Sequence, residues 1–273
     1  MDGALGQEEF LLLLLSDSNL PTGGFVSSSG LESHIQHGLL QSPPKDGLVD
    51  FIRASLDSYA KLQVPFMAEV HRLVESLREA SLTSGEKGKG TELERDDAVL
   101  GRVVELDNEL SAMMLNHVAR RASTAQGVAL LTLYQRSFDI ESEVGVGKLV
   151  ARLRAGIRAG ECSGYQTVGF AVLAAGLGVT LASSTNLFLF LHARSLLSSA
   201  VRLNAVGPYV SHRLLLHDVG PMVEEAVLFY EGTKNKGGRW DEEGDEDGPA
   251  TTWPLGEILG TRHELLHSKI FNS

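Results

Sequence analysis

Apolar residues recur along most of this chain at intervals of three and four, the period of an α-helix that turns one face toward a core. A first short helix is predicted around Glu8 to Leu15, and Pro21, Gly23 and Gly24 follow it, residues that punctuate a helix and permit unusual backbone angles. Ser29 and Glu32 stand at capping-box spacing, so a second helix is predicted to begin there and to bury Leu31, Ile35 and Leu39. Leu48, Phe51, Ile52, Leu56 and Tyr59 trace a third stripe, and Phe66, Val70, Leu73 and Leu77 a fourth after Pro65. Helical spacing resumes with Val99, Val103, Leu106, Leu110 and Met114, and again with Val128, Leu131 and Tyr134. Pro208 suits the first turn of a helix carrying Leu214, Leu215 and Leu216, while Pro221 is expected to kink or restart it. A last element runs from Pro254 to Ser273.

Two segments interrupt this pattern. Ser81 to Asp97 turns to Gly, Ser, Lys and Glu with almost nothing apolar to offset the entropy of ordering, and is predicted to be a loop or flexible insertion. Gly232 to Thr252 is the second, with six acids between Asp241 and Asp247. No strand-type alternation and no fixed-period repeat is found. The fold expected is all-α: a single helical bundle domain over residues 1–273, with flexible insertions at about 81–97 and 232–252.

Composition narrows the function. A hydrophobic content of 43% with only 6% aromatics suits long helices packed through aliphatic side chains. The net charge of -11 repels phosphate backbones and anionic lipid heads, so nucleic acid is not an expected partner. Cys162 is the single cysteine, which excludes an intramolecular disulfide and a cysteine cage for metal, and fits a reducing compartment such as the cytoplasm. The apolar run Phe10 to Leu15 follows acidic Glu8 and Glu9 and precedes no small-residue cleavage site, unlike a signal peptide. Cys162 to Ala193 lacks Asp, Glu, Lys and Arg, which raises the alternative of a small membrane protein. Ser183, Ser184, Thr185 and Asn186 interrupt that stretch with capping chemistry, so it reads as two neighbouring core helices.

Several residues carry possible chemistry. His263, Glu264 and His267 spell H-E-x-x-H, the helical pattern in which two imidazoles hold zinc and the carboxylate activates water; a metallopeptidase is the alternative it raises. Only six residues follow His267, too few for a third ligand on a downstream helix, and an amphipathic tail is the simpler account. Gly85, Gly88, Lys89 and Thr91 have the wrong spacing for a phosphate-binding loop. His34 and His37, three apart, are weak candidates for metal ligands, with surface or partner contact as the competing role. The acidic run at Asp241 to Asp247 reads as a solvated segment, and Cys162, with no basic neighbour, as an inert thiol.

Leu15 to Gly38 reads LSDSNLPTGGFVSSSGLESHIQHG, and Pro254 to Ser273 reads PLGEILGTRHELLHSKIFNS. The first resembles the N-terminal signature of the UreF urease accessory proteins, L-S-D-x-x-L-P-x-G-G-F-x-H-S-x-G-L-E, and the second resembles that family's ending. Arg121, Ser123, Gly127, Leu130 and Leu131 resemble its central helix, Gly164 to Gly178 its apolar helix and Ala200 to Gly207 its basic-Leu segment. Ser27, Ala205 and Pro208 depart from the usual His, Pro and Gln. The resemblance implies an all-helical, dimeric, non-enzymatic scaffold with no cofactor of its own. Such a scaffold bridges UreD (also called UreH) to the GTPase UreG on apo-urease; nickel is handled by the complex and GTP is bound by UreG. It also implies partner-facing roles for Gly23, Gly24, Phe25, Glu32 and His34, for Arg202, and for Arg262, His263, Glu264, Lys269 and Phe271 in the tail. Glu32 carries the capping-box role as its alternative, and Arg202 a surface ion pair.

Overall fold

In the computed structural model the described residues are 6–21, 27–40, 44–83, 89–139, 145–234 and 248–272. They are helical, with no strand among them. In chain order the helices are α1 (Gln7–Leu15), α2 (Leu31–Gln36), α3 (Pro44–Thr83), α4 (Lys89–Met113), α5 (His117–Leu133), α6 (Gly145–Ala159), α7 (Gln166–Leu177), α8 (Leu181–Arg202), α9 (Pro208–Leu214), α10 (Gly220–Lys234) and α11 (Pro254–Arg262). Helix α7 lies at the centre, packed against α3 and α5 and touched by α8 and α6, while α4 and α10 pack on α3.

The sequence of α7 explains its place. Every residue from Thr167 to Ala175 is buried, so the helix has no polar face to give to water, and a helix apolar all round belongs inside. Small residues let it come close to α5. A Cβ on Gly127 would lie 2.1 Å from the carbonyl oxygen of Gly164, and one on Gly169 would lie 2.8 Å from that of Gly127. The N-terminal end of α7 is held by Asp107 of α4, fully buried, whose carboxylate accepts from the backbone N–H groups of Ser163, Gly164 and Tyr165 at 2.6, 3.0 and 2.9 Å. Burial pushes this carboxyl above its ordinary range, and the three N–H donors pull it back.

Most apolar stripes read from the sequence are the buried faces, but Leu39 after α2 and Leu216 in the turn after α9, expected on such stripes, are exposed. Leu48, Phe51, Ile52, Leu56, Phe66, Val70 and Leu77 line α3, and Val99, Val103, Leu106 and Leu110 line α4. Two boundaries differ from expectation. Pro65 does not divide α3, which runs for 40 residues; the missing hydrogen bond is outweighed by buried contacts on both sides of it. The break between α7 and α8 falls at Gly178, in the left-handed region at φ 81°, and at Thr180, whose hydroxyl accepts from the Ser183 N–H at 3.4 Å. Ser184 and Thr185, expected at that break, are buried within α8, where Ser184 Oγ bonds His71 Nε2 at 3.2 Å and Thr185 donates to the Leu181 carbonyl. Among the described residues no helix is long and apolar enough to cross a membrane.

The insertion expected at 81–97 is helical where it is described: α3 continues to Thr83 and α4 begins at Lys89. Lys148 and Arg152 of α6 reach Asp96 and Asp97 at 3.0 and 2.5 Å, cross-helix ion pairs that a local reading of composition does not contain. In the second expected insertion α10 extends to Lys234, while the acidic run Asp241 to Asp247 lies outside the described residues. Pro221 restarts the helix as expected, preceded by a π-helical turn over Leu215–Val219 that takes up the lost hydrogen-bond register. Cys162 is buried near Asp107 and Glu161, and its thiol is pushed up to about 11, first by burial and then by those charges.

Two outcomes follow for stability. Asp107→Ala strands three buried N–H groups and is expected to cost about 3 kcal/mol in urea unfolding, at unchanged helicity of the residual fold. His192 is partly buried, stacked on Tyr59 at a centroid distance of 3.9 Å, and is pushed down to about 3 by burial; burial also lowers His34 and His71. The unfolded chain takes up these protons below about pH 6.5 and the folded chain does not, so stability falls as pH drops through that value. His192→Phe should remove roughly 1 to 2 kcal/mol of the loss between pH 7 and pH 5, read from thermal melts.

Candidate functional site

The two segments that carry the family-like patterns meet in space, and Glu32 joins them. Ser29 and Gly30 take positive φ values of 49° and 85°, a tight turn that starts α2 against α11. A Cβ on Gly30 would meet Gly260 Cα at 3.5 Å, so the two glycines set how closely α11 approaches. The turn aims Glu32 inward, where it is 1% exposed. Its Oε2 accepts from His263 Nε2 at 3.0 Å and from the Phe271 N–H at 3.1 Å, and its Oε1 accepts from the Ile270 N–H at 2.7 Å. The capping-box role is therefore not taken: Gly30 is the N-cap of α2 and no side chain caps it. The carboxylate instead joins residues more than two hundred positions away in sequence.

Around this buried carboxylate the tail is fastened at each end. Phe271 is 3% exposed and lies beneath the Arg202 guanidinium, 4.3 Å from ring centroid to Cζ. Gln36 Nε2 donates to the Ser268 carbonyl and Lys269 Nζ to that of Glu264, both at 2.9 Å. Glu264 points outward and accepts from His117 Nε2 at 2.9 Å and from Arg121 at 2.5 Å; these hydrogen bonds hold its carboxyl down at about 2. The ring of Phe271, read as an anchor for a partner, thus packs within the chain.

The H-E-x-x-H pattern does not form a metal site. Helix α11 ends at Arg262, a 3₁₀ turn covers His263–Leu265, and Leu266 is extended at φ −69°, ψ 136°. His263 is buried on Glu32 while His267 is exposed, so the two imidazoles do not converge. The pair His34 and His37 also separates. His34 is buried edge-on to Phe51 at 4.9 Å, whereas His37 donates from Nδ1 to the Ser33 carbonyl at 2.7 Å and accepts at Nε2 from Arg262 at 3.0 Å. Among the described residues no three His, Cys, Asp or Glu side chains are grouped to hold a metal. Gly23, Gly24 and Phe25 lie outside the described residues.

With the tail fixed, Leu265 at 72% and Ile270 at 63% exposure face solvent, as do Leu255 and Ile258 of α11. Exposed apolar side chains interspersed in sequence with Arg262, Glu264 and Lys269 suit contact with a protein.

The UreF family model matches residues 44–217, from the start of α3 into the π-helical turn after α9. The chain belongs to the UreF family. A urease accessory protein 6 of Cryptococcus neoformans is 39% identical over 98% of both chains. A urease accessory protein UreF of Arthrobacter is 32% identical over 78% of this chain and 79% of its own, and a urease accessory protein F of Arabidopsis thaliana 31% over 95% and 90%. UreF membership sets the chain's role in urease maturation. The family model stops short of both Glu32 and the tail, while the Cryptococcus alignment spans them. His117 and the contact of Asp107 with the α7 entry were not singled out from sequence, since nothing in local spacing marks a partner on a distant helix.

Glu32→Ala would leave a cavity and an unpaired buried His263, and should raise amide exchange at Ile270 and Phe271 by about a hundredfold or more while core amides of α7 stay protected.

Proposed function

We propose that this chain is a non-enzymatic scaffold that bridges UreD to the GTPase UreG on apo-urease and couples the GTP state of UreG to nickel delivery. Nickel is cargo of the assembly, GTP belongs to UreG, and no bond-making step falls to this chain. The chain acts as a homodimer in the cytoplasm, where its single thiol stays reduced. One observation supports the reading above others: the tail is held by a buried carboxylate and three backbone or imidazole donors, and so keeps Leu265 and Ile270 exposed on a fixed surface. A rigid apolar patch with a charged rim lowers the entropy cost of docking a protein.

Coupling requires that one partner bind differently according to the state of the other. A face held rigid by Glu32 can pass such a difference between two partners if both touch it, and Arg202, seated on Phe271, lies between the tail and the end of α8.

Co-purification with UreD and UreG, with and without GTP, tests the proposal directly. The ternary assembly should form, and its UreG content should depend on GTP. Failure to recover either partner, or urease activation that proceeds without this chain, would overturn it. Leu265→Asp with Ile270→Asp should lower partner recovery at least about tenfold while stability stays within about 0.5 kcal/mol of the parent. Phe271→Ala, by contrast, should cost about 3 kcal/mol of local stability, because the ring is buried in the chain itself.

A further inference from the structure

Helix α11 roofs a partly open cavity of about 160 Å³ lined by α3, α5, the start of α7 and α8. Its lining is unusual for a helical interior. Ser55, Ser58 and Gln63 face it from α3, Ser123 and Gln126 from α5, and His192 from α8. Thr167, Ser195 and Asn116 add further hydroxyl and amide groups, and Trp253 and Glu257 come from the roof. Among the described residues no Lys or Arg borders the space, and Glu257 is the single carboxyl group there.

The hydrogen bonds already made leave a particular set of groups. Gln63 Oε1 accepts from the Thr167 hydroxyl, which leaves the Gln63 amide N–H groups to donate. Ser123 Oγ accepts from the Gln166 N–H at 3.0 Å and Ser58 Oγ from the Thr252 N–H at 3.3 Å, which leaves each of these two hydroxyls an O–H. Ser55 Oγ and His192 Nε2 are bonded to one another at 3.1 Å. Uncharged donors thus converge on a space where the described residues place no fixed positive charge.

Each class of solute meets this lining differently. An apolar guest would strand the hydroxyl and amide groups, each at the cost of a lost hydrogen bond. An ion would give up its hydration for a site where burial holds His192 neutral and raises the Glu257 carboxyl toward its protonated form. A neutral molecule with hydroxyl or carbonyl oxygens satisfies the donors and carries no charge to desolvate. A cavity of roughly 150 Å³ accommodates a guest the size of benzene, about six to eight heavy atoms.

We propose that the space beneath α11 is a binding site for a small uncharged solute bearing hydroxyl or amide groups. The site stands apart from the scaffold surface described above: the partner patch lies on the outer face of α11 and the tail, and the cavity beneath the inner face. Gly260 keeps that roof close: a Cβ there would lie 2.4 Å from Asn116 Nδ2.

Trp253 supplies the reporter. With Trp240→Phe as background it is the single tryptophan, since the chain has two. Glycerol, six heavy atoms, is the probe, titrated against the full chain while Trp253 emission is followed. A saturable change with a millimolar midpoint is expected, and sucrose, too large for the cavity, should give none. Ser195→Leu and, separately, Ala122→Leu fill the space and should weaken the midpoint at least about tenfold with helicity retained. Glu257→Gln should move it less than about threefold, since the proposal needs no charge there.

A linear response shared by sucrose and by the filled variants would mean solvent effects only and overturn the proposal. So would saturation by nickel(II) or acetate in place of glycerol, lost in Glu257→Gln, which would make the cavity an ion site. If neither filled variant folds, nuclear Overhauser contacts from glycerol to the methyl groups of Ala119 and Ala122 in the parent chain decide. Their absence at saturating glycerol would equally overturn the proposal. Partner recovery with UreD and UreG is scored in parallel, so loss of the cavity site and loss of the scaffold role remain separate results.

Discussion

A helix with no polar face must be enclosed, and α7 imposes that requirement on everything around it. Its residues from Thr167 to Ala175 bury on every side, so α3, α5 and α8 must run alongside it and present apolar stripes. The approach to α5 is close enough that Gly127, Gly164 and Gly169 exclude any side chain between the backbones. Such a contact leaves little freedom for α5 to rotate, and α5 carries His117 and Arg121 outward to Glu264 on the tail. Central packing and the tail surface are therefore joined through one rigid helix.

The long stripes were legible because they are local: a period of 3.6 needs only neighbours in sequence. The departures share a cause. At 89–97 the polar composition argued against order, but Asp96 and Asp97 find Lys148 and Arg152 on another helix. Ser184 looked like a cap because it stands in a run of capping residues, but its hydroxyl finds His71, 113 residues away. Pro65 looked like a boundary because its local cost is certain, whereas the burial that offsets it depends on the whole bundle. Each miss is a tertiary contact that outweighed a local preference.

The candidate site shows the same division. That the Leu15–Gly38 segment and the tail matter was readable from their resemblance to family patterns, but that they touch was not. Glu32 and His263 belong to two separate local motifs, a capping box and H-E-x-x-H, and both readings fail for one reason: the side chains bond to each other. The tail motif needs a continuous helix to bring its imidazoles together, and the backbone leaves the helix at Arg262.

The partners of Glu32 stand 231 to 239 residues downstream of it. A chain made from its N-terminus therefore carries an unmatched acid until those distant downstream residues have been made. Closing so large a loop is entropically costly, though the cost grows slowly with length, and the helices between have already formed and shortened the path. The seat of Phe271 on Arg202 is completed at the same step. A copy cut before Ile270 keeps its bundle of stripes but lacks the fixed tail surface, so that surface marks the copies read through Phe271.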